Sequence, residues 1–94
     1  MSVYVIIPFR TTDYAWWKEI FDKFAESRLG WGALAYVIYR GLDDPEAITV
    51  VHEFADREGA ERFVADPSIR VSVASWNADV VPEMQLFEEV GRRP

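Results

Sequence analysis

Residues 31–54 read WGALAYVIYR, GLDDP and EAITVVHEF in succession, from Trp31 to Phe54. Two runs rich in β-branched and aromatic residues flank Gly41-Leu42-Asp43-Asp44-Pro45, a dense set of turn formers. The first run, Trp31–Arg40, is apolar at odd and even positions alike, as in a strand buried on both faces. The second, Ile48–Phe54, is the next strand. A connection this short joins antiparallel neighbours, because a parallel crossover needs a dozen or more residues. The centre of the chain is therefore a β-hairpin, formed by the second and third strands.

Upstream, Ser2–Phe9 reads as a first strand, again apolar on both sides. Pro8 has no N–H, so regular pairing is expected to loosen there. Thr11-Thr12-Asp13 offers an N-cap, and Tyr14–Arg28 has a helical period. Tyr14, Trp17, Phe21 and Phe24 form one stripe, Ile20 widens it, and Lys18, Asp22 and Glu26 fall elsewhere. Glu19 and Lys23 are spaced for an i,i+4 ion pair, and Gly30 is placed to end the helix. Downstream, Asp56 caps a second helix whose apolar side is Ala60, Phe63 and Val64. Asp66-Pro67 breaks or kinks that helix, and Ile69–Trp76 continues for a further turn or two. Residues 77–82 form a loop, Glu83–Val90 a fourth strand, and residues 91–94 a frayed tail.

The order β-α-β-β-α-β is that of a ferredoxin-like α+β fold: a four-stranded antiparallel sheet, strands one and three in the middle, helices on one face. A length of 94 residues gives room for one domain, 1–94. Strand one presents Val3, Val5 and Ile7 on one side and Tyr4 and Ile6 on the other. Strand two presents Ala33, Ala35, Val37 and Tyr39 against Leu34, Tyr36 and Ile38. A second face this apolar is not left to water. A second copy of the sheet, stacked at about 10 Å, covers it, so a homodimer is expected.

The chain is 50% hydrophobic and 15% aromatic, too apolar for a disordered segment. It carries 16 Asp and Glu against 10 Lys and Arg, a net charge of -6. Such a surface repels phosphate backbones and anionic bilayers, so neither nucleic acid nor a membrane is an expected partner. The absence of cysteine removes disulfides, thiolate ligands and thiol nucleophiles. The single histidine argues against a His-rich zinc site. Neither a metal nor a cofactor is expected. No apolar run approaches the roughly 20 residues of a membrane span, and Met1-Ser2-Val3-Tyr4 does not open a signal peptide. The cytoplasm is the expected location. No P-loop, G-x-G-x-x-G, G-x-S-x-G or H-E-x-x-H occurs, which argues against nucleotide cofactors and hydrolase triads.

Asp13-Tyr14-Ala15-Trp16-Trp17-Lys18-Glu19-Ile20-Phe21-Asp22 has the pattern D-Y-x-x-W-K-x-x-F-D. It resembles the first helix of small dimeric α/β-barrel proteins related to the antibiotic biosynthesis monooxygenases, a cyclase subfamily among them. The resemblance runs on through Arg28, Arg40-Gly41-Leu42-Asp43-Asp44-Pro45, Glu53-Phe54-Ala55-Asp56, Ala60, Phe63, Pro67 and Pro82, nearly the whole chain. It implies two four-stranded sheets stacked across a homodimer, with an apolar pocket between each sheet and its helices. Such proteins include cofactor-free oxygenases of electron-rich aromatics, polyketide cyclases and haem-degrading enzymes. The sequence departs from the pattern at Trp76-Asn77-Ala78-Asp79-Val80, where an Ala-Gly-Val-like run is usual, and at His52, where an aliphatic residue is common.

His52 shares a strand face with Ile48, Val50 and Phe54. An imidazole there is a candidate general base for an acidic phenol or β-dicarbonyl; the alternative is a hydrogen-bonded core histidine. Trp76 could stack on a flat ligand and Asn77 hold an oxyanion, or the two could be a packed helix end and a C-cap. Trp17 lies on the core stripe; Trp16, beside it, is a pocket wall or a dimer contact, and Trp31 clusters with them. Tyr36 and Tyr39 fall on opposite faces of strand two. Whichever meets the helices can donate to a ligand carbonyl, and the other meets the partner subunit. Arg10, Arg28 and Arg40 could clamp a carboxylate or pair with the many acids. The function expected is a cofactor-independent enzyme of polyketide or aromatic metabolism, of cyclase type, acting on a flat, apolar, oxygenated small molecule. The catalytic candidates are His52 and Asn77; Trp16, Tyr36, Trp76, Tyr39 and Arg40 are the substrate-binding candidates. A cofactor-free monooxygenase and a non-catalytic binding protein are the alternatives. Haem handling is disfavoured, because His52 falls in a strand and not on a helix.

Overall fold

The computed structural model describes residues 2–24, 30, 32–77 and 79–94. Its elements are β1 (Val3–Arg10), α1 (Tyr14–Lys23), β2 (Ala33–Arg40), β3 (Ala47–Phe54), α2 (Arg57–Ala65), α3 (Pro67–Ala74) and β4 (Gln85–Glu88). The strands form one antiparallel sheet in the order β2-β3-β1-β4. This is the ferredoxin-like α+β arrangement, with the first and third strands central.

Side-chain parity decides where the core lies. Val5, Ile7 and Phe9 of β1 and Ile48, Val50, His52 and Phe54 of β3 are all buried on one face. That face is covered by Trp17 and Phe21 of α1, Ala60 and Phe63 of α2, and Ile69 and Val73 of α3. The opposite face carries Ile6, Val51 and Val37 in one cross-strand row and Pro8, Thr49 and Tyr39 in another. Tyr4 and Phe87 pair there too.

Each of these three helices starts on an aspartate whose carboxylate takes up a free backbone N–H of the first turn. Asp13 accepts from the N–H of Trp16 at 3.0 Å and Asp56 from that of Gly59 at 2.8 Å. Asp66 accepts from the N–H groups of Ser68 and Ile69, at 2.9 and 3.1 Å, and from the Ser68 hydroxyl at 2.8 Å. Pro67 needs no hydrogen bond at its position in the first turn. The Asp66-Pro67 break therefore ends α2 and starts α3 at one point.

Four details differ from the sequence expectation. Pro8 does not interrupt β1, which pairs with β3 from Val3 to Arg10. Among the described residues β4 reaches only Val3–Ile6, so past Ile6 the other side of β1 is an edge, where proline is tolerated. For the same reason β4 is four residues long and not eight. A bulge between Ala33 and Ala35 inserts Leu34 into β2. It brings Ala33 onto the helix side with Tyr36 and Ile38, and leaves Ala35, Val37 and Tyr39 on the other. Finally, α1 ends at Lys23 on a Phe24 cap, so Gly30 does not end it, and its i,i+4 ion pair joins Lys18 and Asp22 at 2.6 Å in place of Glu19 and Lys23. The expected helix end at 25–29 and Trp31 lie outside the described residues.

Replacing Asp66 with alanine removes three hydrogen bonds that start α3. The Asp66→Ala variant is expected to lose about 1 kcal/mol of stability in urea unfolding. A loss indistinguishable from zero would show that the packing of Ile69 and Val73 alone holds α3.

Candidate functional site

Two spaces flank one indole ring. The first is an open cleft of about 570 Å³, whose walls include Arg10, Asp13, Trp16, Trp76, Asn77 and Asp79. It forms where β1 ends, α1 begins and the chain leaves α3. Trp16 is 50% exposed, because it lies one residue off the buried stripe of α1 and its ring turns into this cleft. The second is a small, partly open hollow of about 20 Å³ between sheet and helices, bordered by Ile7, Phe21, Phe24, His52, Phe63 and Trp76 among others. His52 is 1% exposed. Trp76 borders both spaces.

The wall between them is an aromatic cluster. The Trp76 ring lies 5.0 Å from Phe9, 5.3 Å from Trp17 and 6.1 Å from Phe21, centroid to centroid. Trp17 lies 4.9 Å from both Phe9 and Phe21. Trp17 and Trp76 meet at 87°, an edge-to-face pair. Neither indole N–H has a conventional hydrogen-bond acceptor among the described residues. On the side of the hollow His52 lies 5.1 Å from Phe63 and 5.9 Å from Phe21.

Sequence candidates are thus partly gathered and partly dispersed. Trp16, Trp76 and Asn77 meet at the cleft, with Arg10 beside them, and His52 lies behind Trp76. Tyr36 faces the helices opposite His52 and sets its ring against Phe21 at 5.0 Å. Tyr39 lies on the other sheet face and lines neither space. Arg40 lines neither and lays its guanidinium over the Tyr14 ring, 4.6 Å from the centroid. Arg28 lies outside the described residues. Asn77 is a structural tie as well as a cleft residue: Nδ2 donates to the carbonyl of Arg10 at 3.1 Å, and Oδ1 accepts from the N–H groups of Asp79 and Val80 at 2.9 and 3.2 Å. It is not the α3 C-cap, which is Ser75.

Arg10 is already engaged. Its guanidinium donates two bonds to Asp44, at 2.6 and 3.1 Å, and one to Glu46 at 3.4 Å. A carboxylate ligand would have to compete with both acids. The Arg10 hydrogen bonds hold the Asp44 carboxyl below its ordinary range, and the same contact raises Arg10. Across the sheet Tyr4 donates to Glu89 at 2.9 Å, which raises the phenol; Glu89, also paired with Arg92, is lowered. Among the described residues no group of three or more His, Asp or Glu is placed to hold a metal ion, and no helix is long and apolar enough to cross a membrane.

The cleft residues Thr11, Thr12, Asp79 and Val80 and the hollow's Ser72 and Val73 were not candidates from sequence. They come as adjacent pairs from three separate segments with unremarkable spacing, so only the capping turn at Thr11-Thr12-Asp13 hinted that a helix opened there.

Known structures share this architecture. The chain aligns over 99% of its length with 97% of SnoaB, a cofactor-independent oxygenase from Streptomyces nogalater, at 18% identity and a TM-score of 0.78. It aligns over 97% of its length with the whole of a protein described as an antibiotic biosynthesis monooxygenase, at 18% identity and a TM-score of 0.68. A conserved protein from Methanosarcina mazei Go1 is matched over 95% of this chain and 93% of that one, at 15% identity and a TM-score of 0.74. No protein-family model and no curated protein sequence matches the chain. The chain has the ferredoxin-like fold of the antibiotic biosynthesis monooxygenase proteins.

With Arg10→Gln, the Asp44 carboxyl loses the partner that depresses it. Its titration midpoint, followed by NMR, is expected to move up toward the ordinary carboxylate value. Because a depressed pKa stabilises above the unfolded value and is lost as pH falls through the folded one, the variant should also lose a small acid-side part of its pH-dependent stability. An unmoved midpoint would show that the ion pair does not persist in solution.

Proposed function

We propose that the protein is a cofactor-independent enzyme for a flat, apolar, oxygenated small molecule of the polyketide or aromatic type. The observation that carries this reading is the pairing of a roomy cleft, walled by the Trp16 and Trp76 indoles, with a buried imidazole directly behind Trp76. The likeness of fold to a cofactor-independent oxygenase supports it. The substrate ring lies in the cleft against Trp16, where an indole face contributes about 0.5–1.5 kcal/mol beyond simple burial. The hollow has no room for a ring, so the substrate edge reaches His52 when the Trp76 side chain turns aside. His52 then takes a proton from an acidic phenol or activated carbon, and water is excluded by the aromatic cluster.

Oxygenation is the reaction favoured by the fold likeness and by the mostly apolar hollow at His52. The deprotonated substrate supplies the electrons and dioxygen accepts them; one oxygen atom enters the product as a carbonyl and the other leaves as water. Cyclisation is the second reading, favoured by the openness of the cleft and by its need for nothing beyond a shaped wall and one acid/base group. The chain works as one domain in a homodimer, in the cytoplasm. Val37, Tyr39 and Phe87, 47%, 58% and 49% exposed on the helix-free sheet face, support a second copy stacked there.

His52→Ala is expected to cut turnover about 10²-fold or more, with the far-ultraviolet spectrum unchanged. Full turnover in that variant would remove His52 from the chemistry. Assays with and without dioxygen separate the reactions: loss of product under anaerobic conditions marks the oxygenase, and persistence marks the cyclase. Binding of a ring ligand with no turnover of any substrate tested, and no change on His52→Ala, Tyr36→Phe and Asn77→Ala together, would point to a binding protein.

Placing a charge at the centre of the open face tests the assembly. Val37→Glu is expected to convert a dimer into a folded monomer in sedimentation experiments. A wild-type chain that sediments as a monomer would refute the stacked-sheet reading.

A further inference from the structure

We infer that the hollow beside His52 holds a single water molecule, and that this water and the Ser72 hydroxyl are the proton link between the buried imidazole and solvent; the part the link plays in turnover rests on the reading of His52 as the base. A base set among aromatic rings has to hand on each proton it takes, because an imidazolium kept there without a polar neighbour is costly. The lining of the hollow shows where the proton goes. Of the nine residues that border it, seven are buried, and only Phe24, 41% exposed, and the half-buried Ser72 reach solvent. The opening therefore lies between Phe24, which caps α1, and Ser72 in the second half of α3.

Volume and polarity select the occupant. About 20 Å³ exceeds the roughly 10–15 Å³ that one water needs and is far below the room that a ring requires. A buried water is held by two to four polar partners. The imidazole supplies one on the inner side of the hollow and the Ser72 hydroxyl a second at its mouth, where solvent supplies more. The Ser72 carbonyl is taken up by the Ser75 hydroxyl at 2.6 Å, while among the described residues its own hydroxyl makes no hydrogen bond. When His52 has taken the substrate proton, the imidazolium passes one N–H proton to the water. The water releases one of its own protons to Ser72 Oγ, and the Ser72 hydroxyl proton leaves to solvent. The imidazole is then neutral, the substrate keeps the electron pair, and no co-reactant is consumed. The same chain run backwards returns a proton to the product. Because only one water fits, protons pass while bulk solvent stays out.

A crystal structure of the unaltered protein tests the occupant. An ordered water within about 3 Å of both the His52 ring and Ser72 Oγ is expected; an empty hollow would overturn the inference. The pair Ser72→Thr and Ser72→Val tests the hydroxyl, since the two side chains share a shape and differ only in that group. Exchange of the His52 ring N–H with solvent, followed by nitrogen-15 NMR without any ligand, should persist in Ser72→Thr and slow about tenfold in Ser72→Val, a smaller loss than removal of the base itself. In turnover Ser72→Val should lower kcat and Ser72→Thr restore it. Equal exchange in the two variants would overturn the role of Ser72. The two readings fail separately: an ordered water and hydroxyl-dependent exchange with full turnover in His52→Ala support the link and overturn only the base, whereas turnover lost in His52→Ala with a dry hollow overturns this inference alone.

Discussion

The contact between Trp17 and the rings around it is the constraint on which the rest of the molecule depends. Trp17 is fully buried and touches Phe9 of β1, Phe21 of its own helix and Trp76 beyond α3. Three elements distant in sequence are joined through that one indole. Aromatic pairs of this geometry contribute about 0.5–1.5 kcal/mol each beyond their burial, so the cluster fixes the spacing of α1 and α3 over the sheet. That spacing in turn sets the two spaces. Where the rings stop on the outer side a cleft opens, and where they stop on the inner side a small hollow remains at His52.

The sheet shows how one pattern serves two surfaces. β3 alternates strictly, with Ile48, Val50, His52 and Phe54 buried and Thr49, Val51 and Glu53 half-buried. A strand covered by helices on one side only would be expected to place charges at the latter positions, yet Glu53 is the sole one. Its carboxylate is occupied by the Ser2 hydroxyl at 2.6 Å, and the nearby Tyr4 phenol is tied to Glu89. Glu53 and Tyr4 on this face are thus satisfied within the chain, near one end of the sheet, while Val37, Val51 and Ile6 occupy its middle. The centre of this face is therefore apolar, with its charged and phenolic groups at one end engaged in pairs.

Much of the fold was legible because periodicity and caps are local. The stripe Tyr14, Trp17, Phe21, the aspartates at 13, 56 and 66, and the turn at Gly41–Pro45 each announce an element within a few residues. The register of β2 was not legible, since a single inserted residue, Leu34, changes which side chains share a face and leaves no mark on an already apolar run. The site was half legible. Trp16, Trp76, Asn77 and His52 stand out by residue type, and the structure places them around one wall. What no spacing could show is that Trp76 borders both the cleft and the hollow at His52, or that Asn77 spends its amide on Arg10 and the 79–80 backbone. Arg40 and Tyr39 stood out in the same way, but strand parity sends one toward Tyr14 and the other to the far face.

The division between the two tryptophans follows from how each is held. Trp17 sits inside a ten-residue helix, its N–H bonded to the Asp13 carbonyl at 3.1 Å and its ring caged on every side. Trp76 comes after the last helical residue, Ala74, and its backbone is anchored by a single-turn bond from its N–H to the Val73 carbonyl at 3.1 Å. Trp76 as a whole is 7% exposed and borders the cleft. A residue just past a helix end is held by fewer backbone bonds than one within a helix. Of the rings that form the wall, Trp76 is the one that borders both the cleft and the hollow at the imidazole. The aromatic cluster thus combines a member inside a helix that ties the fold together with a member at a helix end that lines both spaces.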